Sequence, residues 1–425
     1  MSSIERKKIA IIGTGISGLG AASLLHPHHD ITVYEKNSYV GGHSRTVTVP
    51  GEAGDIPVDT GFIVFNNRNY PLLTRLFAHL EVPVARSDMS FGVSVAGGWL
   101  EYGTRTAGGL IAQKRNLIRP AFWRMLRDIL TFNSKARTYL EADPDVTLGD
   151  CLDELGMGRW FRDYYLLAMG GAIWSTPVED MLDFPAQSFI RFFDNHGLLT
   201  VNDHPEWSTV KGGSREYVRR LIAPFEKNIR LDCGVNAVQR EEAGGGVIIS
   251  DSREEMARYD EVVFACHADQ ALRLMADATG QERDILSAFR YQPNRAVLHG
   301  DTRFLPSRRA AWSSWVYLSD ERADTSPAVS LSYWMNNLQP LPTDQTLIVT
   351  LNPGREPDPA QVYDDFLFDH PVFDAAALRA QKAMPTLQGR DRYRFCGAWL
   401  RYGFHEDALA SAVAMAEDMG IQPSW

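Results

Sequence analysis

Short apolar runs separated by glycine-rich turns mark the beginning of the chain. Residues 9–12 are continuous and mostly β-branched, which is typical of a strand buried on both faces of a parallel sheet. The stretch 19–25 then predicts a helix, and residues 31–34 predict a second strand. Strand, helix and strand in this order and spacing predict a βαβ unit.

The turn after the first strand carries Gly13, Gly15 and Gly18 in the spacing G-x-G-x-x-G. Such a turn lets the backbone approach a pyrophosphate and places the first N–H groups of the helix on it. Glu35 follows the second strand, 22 positions after Gly13, where a carboxylate can accept hydrogen bonds from ribose hydroxyls. The pattern predicts a dinucleotide site formed by Gly13, Gly15, Ile16, Ser17, Gly18, Glu35 and Lys36.

Two further glycine motifs follow this unit. Residues 41–46 read Gly-Gly-His-Ser-Arg-Thr, and residues 58–62 read Val-Asp-Thr-Gly-Phe. On these residues the chain resembles the flavin amine oxidase superfamily, which includes monoamine and polyamine oxidases, protoporphyrinogen oxidases and carotenoid desaturases. His43 stands where that superfamily has an arginine. The resemblance implies FAD as the cofactor. Because the chain shows no second G-x-G-x-x-G, we expect the electrons to leave for oxygen, a quinone or a protein.

The later part of the chain supports the same resemblance. Residues 262–266 are a predicted strand, residues 394–398 a predicted strand followed by a turn, and residues 409–419 a predicted C-terminal helix. In the superfamily the C-terminal loop and helix approach the flavin, and the residue matching Val235 contacts the adenine. The resemblance thus implies further FAD contacts at Gly42, His43, Ser44, Gly61, Phe62, Val235, Cys266, Gly397, Glu406, Asp407 and Ala408.

We therefore expect an α/β protein of two domains. A Rossmann-like FAD-binding domain would be assembled from the discontinuous segments 1–85, 207–285 and 386–425. An α+β substrate-binding domain would comprise 86–206 and 286–385, since residues 62–210 lack βαβ periodicity and contain amphipathic helical stretches.

Aromatic residues are distributed unevenly, and this affects the expected substrate. The chain has 20 Phe, 15 Tyr and 10 Trp among 425 residues, yet residues 1–61 contain only Tyr34 and Tyr39. On residues 173–176, 195–197, 211–214 and 403–407 the chain resembles, within the superfamily, bacterial flavoproteins known only as NAD/FAD-binding proteins. These are more similar to desaturases and protoporphyrinogen oxidases than to the oxidases of small amines. The resemblance suggests dehydrogenation of a hydrophobic substrate, such as a fatty-acyl or other lipid chain, by hydride transfer to flavin N5. An amine oxidase that releases hydrogen peroxide and a non-catalytic lipid-binding relative are the alternatives.

No catalytic base is evident from the sequence. The candidates for residues on the substrate side are His196, Tyr333, Trp334 and Trp399, with packing in the core as the competing interpretation of each. No lysine stands in an obvious position for the flavin-bound water of many amine oxidases. No metal site is expected.

The charge distribution bears on partners and location. The net charge of −10 disfavours nucleic acid as a partner. The segment 105–137 is an exception, with eight basic residues and Asp128 as its one acidic residue. It is either a solvated helix face or a site of peripheral membrane contact. We expect a cytoplasmic protein that is membrane-associated if the second interpretation holds.

Overall fold

The computed structural model describes residues 5–52, 54–141, 143, 145–174, 181–195, 197–200, 205–241, 245–320 and 330–425. At its centre is a parallel sheet in the order β10-β2-β1-β14-β20. Its strands are β1 (Lys8–Ile12), β2 (Asp30–Tyr34), β10 (Ile229–Arg230), β14 (Glu261–Phe264) and β20 (Tyr393–Phe395). The predicted α/β class and the βαβ unit are confirmed, with helix α1 (Ile16–Leu25) joining β1 to β2.

Side chains alternate across the parallel sheet and supply two separate cores. Ile9 and Ile11 of β1 pack with helices on one face, while Ala10 and Ile12 pack on the other. The helical face holds α1 against α14 (His405–Asp418), with α2 (Pro71–His79) and α9 (Arg215–Ile222) beside them. The opposite face is covered by an antiparallel sheet of β11 (Val235–Arg240), β12 (Val247–Asp251) and β13 (Met256–Tyr259).

A seven-stranded sheet, in the order β19-β15-β18-β17-β16-β7-β8, forms the second large layer. Its pairs are antiparallel except β7 with β16, which are parallel. The strands are β7 (Phe91–Val95), β8 (Leu100–Gly103), β15 (Arg290–His299), β16 (Trp315–Ser319), β17 (Ser330–Trp334), β18 (Ile348–Leu351) and β19 (Val362–Val372).

A group of helices packs on this sheet around an aromatic core that includes Phe122, Phe132, Phe161, Phe189 and Phe193. These side chains come mainly from the aromatic-rich middle of the sequence. Many of the aromatic residues there therefore pack in the core. The helices are α3 (Ala107–Leu110), α4 (Pro120–Lys135), α5 (Leu148–Glu154), α6 (Arg159–Phe161), α7 (Leu167–Trp174) and α8 (Ala186–Asn195).

Smaller elements connect the layers. A hairpin joins β3 (Thr46–Val49) to β4 (Ile56–Asp59), and β5 (Phe65–Asn66) and β6 (Val84–Ser87) flank β9 (Trp207–Val210). The remaining helices are α10 (Ala268–Leu274), α11 (Gly280–Leu286), α12 (Met335–Leu338) and α13 (Ala375–Ala383). No helix in the described ranges has the length and apolar character needed to cross a bilayer.

Two helices begin earlier than their apolar runs predict. Helix α1 starts at Ile16, because Gly15 serves as its N-cap, and this places Gly18 inside the first turn. Helix α14 starts at His405, where Asp407 accepts a hydrogen bond from the N–H of Phe404. All five strands of the parallel sheet fall in the segments assigned to the FAD-binding domain. The domain boundaries themselves stay a prediction.

Candidate active site

A cavity of about 890 Å³ lies where the strands of the parallel sheet end. Its lining includes residues directly after the carboxyl ends of β1, β2, β14 and β20, which is the usual ligand position in open α/β sheets. The volume lies within the ~300–1,000 Å³ typical of small-molecule sites. The cavity brings together the predicted contacts Gly13, Gly15, Ile16, Ser17, Glu35, Lys36, Gly42, His43, Gly61, Phe62, Val235, Cys266, Gly397 and Ala408.

The first glycine turn has the shape that a pyrophosphate requires. Gly13 has a φ of +108°, and a Cβ there would lie 2.9 Å from the carbonyl oxygen of Ala265. A Cβ on Gly18 would lie 2.0 Å from the oxygen of Gly13, so the helix meets the strand too closely for any side chain. A Cβ on Gly15 would meet no protein atom within 4 Å. The backbone at Gly15 therefore faces open space at the start of α1, where the helix has no side-chain cap.

Glu35 lies at the end of β2 with 6% of its surface exposed. Its carboxylate accepts hydrogen bonds from the N–H of Thr14 at 3.1 Å and the N–H of Asn37 at 2.9 Å, and also from the Thr14 hydroxyl. A carboxylate offers about four acceptor positions, so Glu35, which lines the cavity, keeps one for a ligand. The Thr14 and Asn37 contacts fix the orientation in which Glu35 would accept a ribose hydroxyl.

The second glycine motif packs directly against the first. A Cβ on Gly42 would lie 3.1 Å from Cα of Gly15, and a Cβ on Gly61 would lie 2.1 Å from the oxygen of His43. Asp59 holds this region in place, because its carboxylate accepts from Thr46 Oγ1 at 2.6 Å and from Ser214 N at 2.8 Å. The motifs thus converge on one wall of the cavity.

Four histidines line the cavity: His43, His267, His370 and His405. Burial lowers the pKa of His43 and His267 to about 4 and the pKa of His370 and His405 to about 3. Hence all four are neutral near pH 7, and His43 brings no positive charge to the position where the superfamily has arginine.

Aromatic contacts position these histidines. The ring of His43 lies 4.8 Å from Phe368 and 5.5 Å from His370, centroid to centroid. His405 stacks on Phe62 at 3.8 Å with an interplanar angle of 11°. This stack joins the C-terminal helix to the second glycine motif across the cavity wall.

Four predicted cofactor contacts do not line the cavity. Gly18 packs against the strand, and the hydroxyl of Ser44 is hydrogen-bonded to Tyr217 and to His405 Nε2. Glu406 accepts from the backbone N–H of Leu72 and Leu73, which are the first free donors of α2. Asp407 serves its own helix as the capping residue at its start. These four support the wall of the cavity from behind.

The substrate-side candidates have different positions. Tyr333 lines the cavity and packs edge-on against Trp315 at 4.9 Å. Its neighbour Trp334 packs on Trp312 at 5.2 Å instead and does not line the cavity. Trp399 lines the cavity, but its Nε1 donates to the carbonyl of Cys266 at 3.1 Å, which ties two loops of the parallel sheet together. His196 lies outside the described residues.

Sequence reasoning missed one wall of the cavity, which strand β19 supplies. Phe366, Phe368 and His370 alternate along it and so share one face of the strand. Leu367, Asp369 and Pro371 also contribute to the lining. That alternation is the signal that could have identified this wall. Other apolar lining residues include Ile63, Val64, Met89, Phe91, Met169, Phe192, Leu198, Trp207, Trp315, Leu351 and Phe404.

A parallel sheet with a glycine cradle and an acidic residue at its carboxyl edge defines a dinucleotide-binding fold. Residues 16–347 match the model of the family described as flavin containing amine oxidoreductase. The chain belongs to this family, which implies FAD as the cofactor, and the residues of the cavity fit FAD.

Individual relatives share only a modest part of their sequence with this chain. The chain is 26% identical over 256 residues to "Putative flavin-containing monoamine oxidase AofH" of Mycobacterium tuberculosis, covering 58% of this chain and 54% of that protein. The chain thus spans about half the length of the curated relatives it matches.

Solved structures share the fold over nearly the whole chain. A CLA-producing fatty acid isomerase from P. acnes matches with a TM-score of 0.69 and 16% identity, over 98% of this chain and 99% of that one. Putrescine oxidase bound to putrescine matches with a TM-score of 0.68 and 14% identity, over 97% and 99%. Cyclohexylamine oxidase from Brevibacterium oxydans IH-35A matches with a TM-score of 0.64 and 16% identity, over 98% and 100%. At these identities the likeness is one of fold.

Proposed function

We propose that this enzyme dehydrogenates a hydrophobic substrate, such as a fatty-acyl or other lipid chain, by hydride transfer to flavin N5. The observation that carries the proposal is the lining of the cavity away from the glycine cradle. There Met89, Phe91, Met169 and Phe192 are joined by further aromatic and aliphatic side chains. Burial of apolar surface at about 25 cal/mol per Å² would hold a hydrocarbon chain at such a wall.

The charged residues of the lining are few. Among the described residues they are Glu35, Lys36, Arg273 and Asp369. Glu35 and Lys36 follow β2 beside the glycine cradle, and Arg273 is paired with Asp269 at 2.6 Å. Asp369 of β19 has no ion pair among the described residues, so it is the one charged lining residue left for a substrate in the apolar part of the cavity.

The chain's own residues would bind and orient the substrate and keep water away from it. Bound FAD supplies the hydride acceptor. Tyr333 offers a hydroxyl within the apolar lining, and this hydroxyl has no hydrogen-bond partner among the described residues. Burial raises the pKa of Tyr333 well above its usual value, so it remains a phenol that can donate to a polar group of the substrate.

The test is anaerobic mixing of the FAD-loaded protein with free fatty acids of several chain lengths, followed by the visible flavin absorbance. Bleaching with fatty acids and new unsaturation in the recovered chains are expected. Unchanged absorbance with every fatty acid, together with bleaching by amines, would overturn the proposal.

An amine oxidase is the second candidate, and the monoamine oxidase relative at 26% identity favours it. Against it, Lys36 is the one lysine among the described lining residues, and it belongs to the nucleotide side of the cavity. Hydrogen peroxide release with a panel of primary amines in air separates the two candidates. Peroxide with amines but not with fatty acids would favour the oxidase.

A further inference from the structure

Exposed apolar side chains are concentrated in the segment 105–137. Eight large apolar side chains of the described residues are exposed, and five of them belong to this segment. These five are Ile111 (43%), Leu117 (43%), Ile118 (83%), Trp123 (52%) and Leu130 (59%). Single exposed apolar residues are ordinary, but a group of them on one element marks a contact surface.

The group has a defined geometry. Trp123 donates its indole N–H to the carbonyl of Leu117 at 2.9 Å, which fixes the turn before α4 against the helix. Along α4, Trp123, Arg127 and Leu130 are separated by four and three residues and therefore share one outward face. The inward face carries Phe122, Met125 and Phe132, which are fully buried. Helix α4 is thus already packed on its inner side, and its outer face has no partner among the described residues.

The charge of this surface is positive. Lys114, Arg115, Arg124, Arg127 and Lys135 are exposed. Asp128, the one acidic residue of the segment, is 3% exposed and accepts from the N–H of Gly158 at 2.9 Å. Asp128 is buried, so the exposed charged side chains of this segment are all basic.

Some of these cations are already used within the protein and others are not. Arg124 and Arg127 lie 3.6 and 3.4 Å from Asp128. Arg115 donates to the carbonyl of Gly98 at 3.0 Å. Lys114 and Lys135 have no ion pair among the described residues, so their charge is available to a partner.

We propose that this surface, formed by Lys114, Leu117, Ile118, Trp123, Arg127, Leu130 and Lys135, docks on a bilayer that contains anionic phospholipid. The apolar side chains would enter the headgroup region, and the lysines would meet the phosphates. Tryptophan is the residue type enriched at that depth of a membrane. A second copy of the chain is a poorer partner, because a symmetric contact would place this positive surface against the same positive surface of the other copy.

The segment does not line the cavity, so the docking site and the reaction site are separate parts of the molecule. Docking would bring the cavity close to a source of hydrocarbon chains, but it needs no flavin chemistry. Vesicle binding therefore tests this proposal without reference to the proposed function, and either can fail alone.

The experiment is co-sedimentation of the holoenzyme with vesicles of phosphatidylcholine alone and with vesicles that also contain phosphatidylglycerol. Binding to the anionic vesicles is expected, and it should weaken as salt is added. The variant Lys114→Glu/Lys135→Glu should reduce partitioning by at least about fivefold per lysine. The variant Ile118→Ser/Trp123→Ser/Leu130→Ser should abolish it.

Matched controls are available elsewhere on the surface. Met256 is 73% exposed, and Met256→Ser removes an apolar side chain away from the segment. Lys227→Glu reverses an exposed charge away from it. Both controls should bind vesicles like the wild type, and all variants should keep the flavin spectrum. A wild-type protein that stays in the supernatant with both kinds of vesicle would overturn the proposal. The proposal would also be overturned if the segment variants bound vesicles like the wild type and changed only a dimer into a monomer in sedimentation velocity.

Discussion

At the scale of single residues, Gly15 and Gly18 make separable predictions. Gly15→Ala adds a methyl group that meets no protein atom within 4 Å but enters the space beside the phosphate turn. We expect the apoprotein to keep its thermal midpoint while FAD affinity falls by at least about tenfold, or 1.4 kcal/mol. Gly18→Ala places its Cβ 2.0 Å from a backbone oxygen, so both stability and FAD affinity should fall.

Fluorescence titration of the apoprotein with FAD measures these affinities. Gly280→Ala is the control, because a Cβ there also meets nothing within 4 Å but lies in a helix away from the cavity. Unchanged FAD affinity in Gly15→Ala would mean that the pyrophosphate does not lie at this turn.

Tyr333 lines the cavity, so the structure is compatible with its predicted role on the substrate side. If its hydroxyl donates to a polar group of the substrate, Tyr333→Phe should raise the substrate concentration for half-maximal flavin bleaching by about fivefold, since a hydrogen bond contributes about 1 kcal/mol. FAD affinity should not change. Trp334→Phe is the control, because Trp334 packs on Trp312 outside the cavity. If the two variants bleach at the same substrate concentration, Tyr333 contributes packing and not a hydrogen bond to the substrate.

At the scale of elements, the clearest case is the junction between α14 and α2. Glu406 of α14 accepts from the N–H of Leu72 at 2.9 Å and of Leu73 at 3.0 Å, and so caps a helix distant in sequence. Glu406→Ala should lower the free energy of unfolding by about 1–2 kcal/mol, as the loss of an N-cap does. Since Glu406 does not line the cavity, the flavin spectrum should stay the same.

Chemical denaturation of the FAD-loaded protein gives the free-energy difference, and Glu417→Ala on the exposed side of the same helix is the control. A shifted flavin spectrum with unchanged stability would instead indicate that Glu406 contacts the cofactor, as the sequence suggested.

The elements also show which parts of the molecule the sequence predicts. The unit β1-α1-β2 was predictable because its turn, its apolar runs and Glu35 act within one local stretch of chain. The wall formed by β19 was predictable only in part. The alternation of Phe366, Phe368 and His370 marks one face of a strand, but only the pairing of β19 with β15 places that face at the cavity. Likewise the stack of His405 on Phe62 joins residues far apart in sequence, and no local pattern specifies such a pair.

At the scale of the whole molecule, protonation of the side chains that line the cavity changes the free energy of unfolding. His43, His267, His370 and His405 all have a pKa lowered by burial from an ordinary value of 6.5. Between that value and about 4, the unfolded chain binds protons that the folded protein does not. Stability therefore falls as the pH falls through this window. Asp59 and Asp407 act in the opposite sense, since burial raises the pKa of each to about 6.

Burial also lowers the pKa of His26, His29 and His299 and raises that of Glu406. With seven histidines set against three carboxyl groups, the histidines should prevail, and the free energy of unfolding should decrease from pH 6.5 to pH 5. His370→Gln removes one titrating group, so the slope should become shallower by up to about 1.4 kcal/mol per pH unit. Denaturant unfolding of the FAD-loaded protein at intervals across this range measures both slopes. A wild-type stability that rises as the pH falls toward 5 would show that the buried carboxyl groups, and not the cavity histidines, dominate the proton balance.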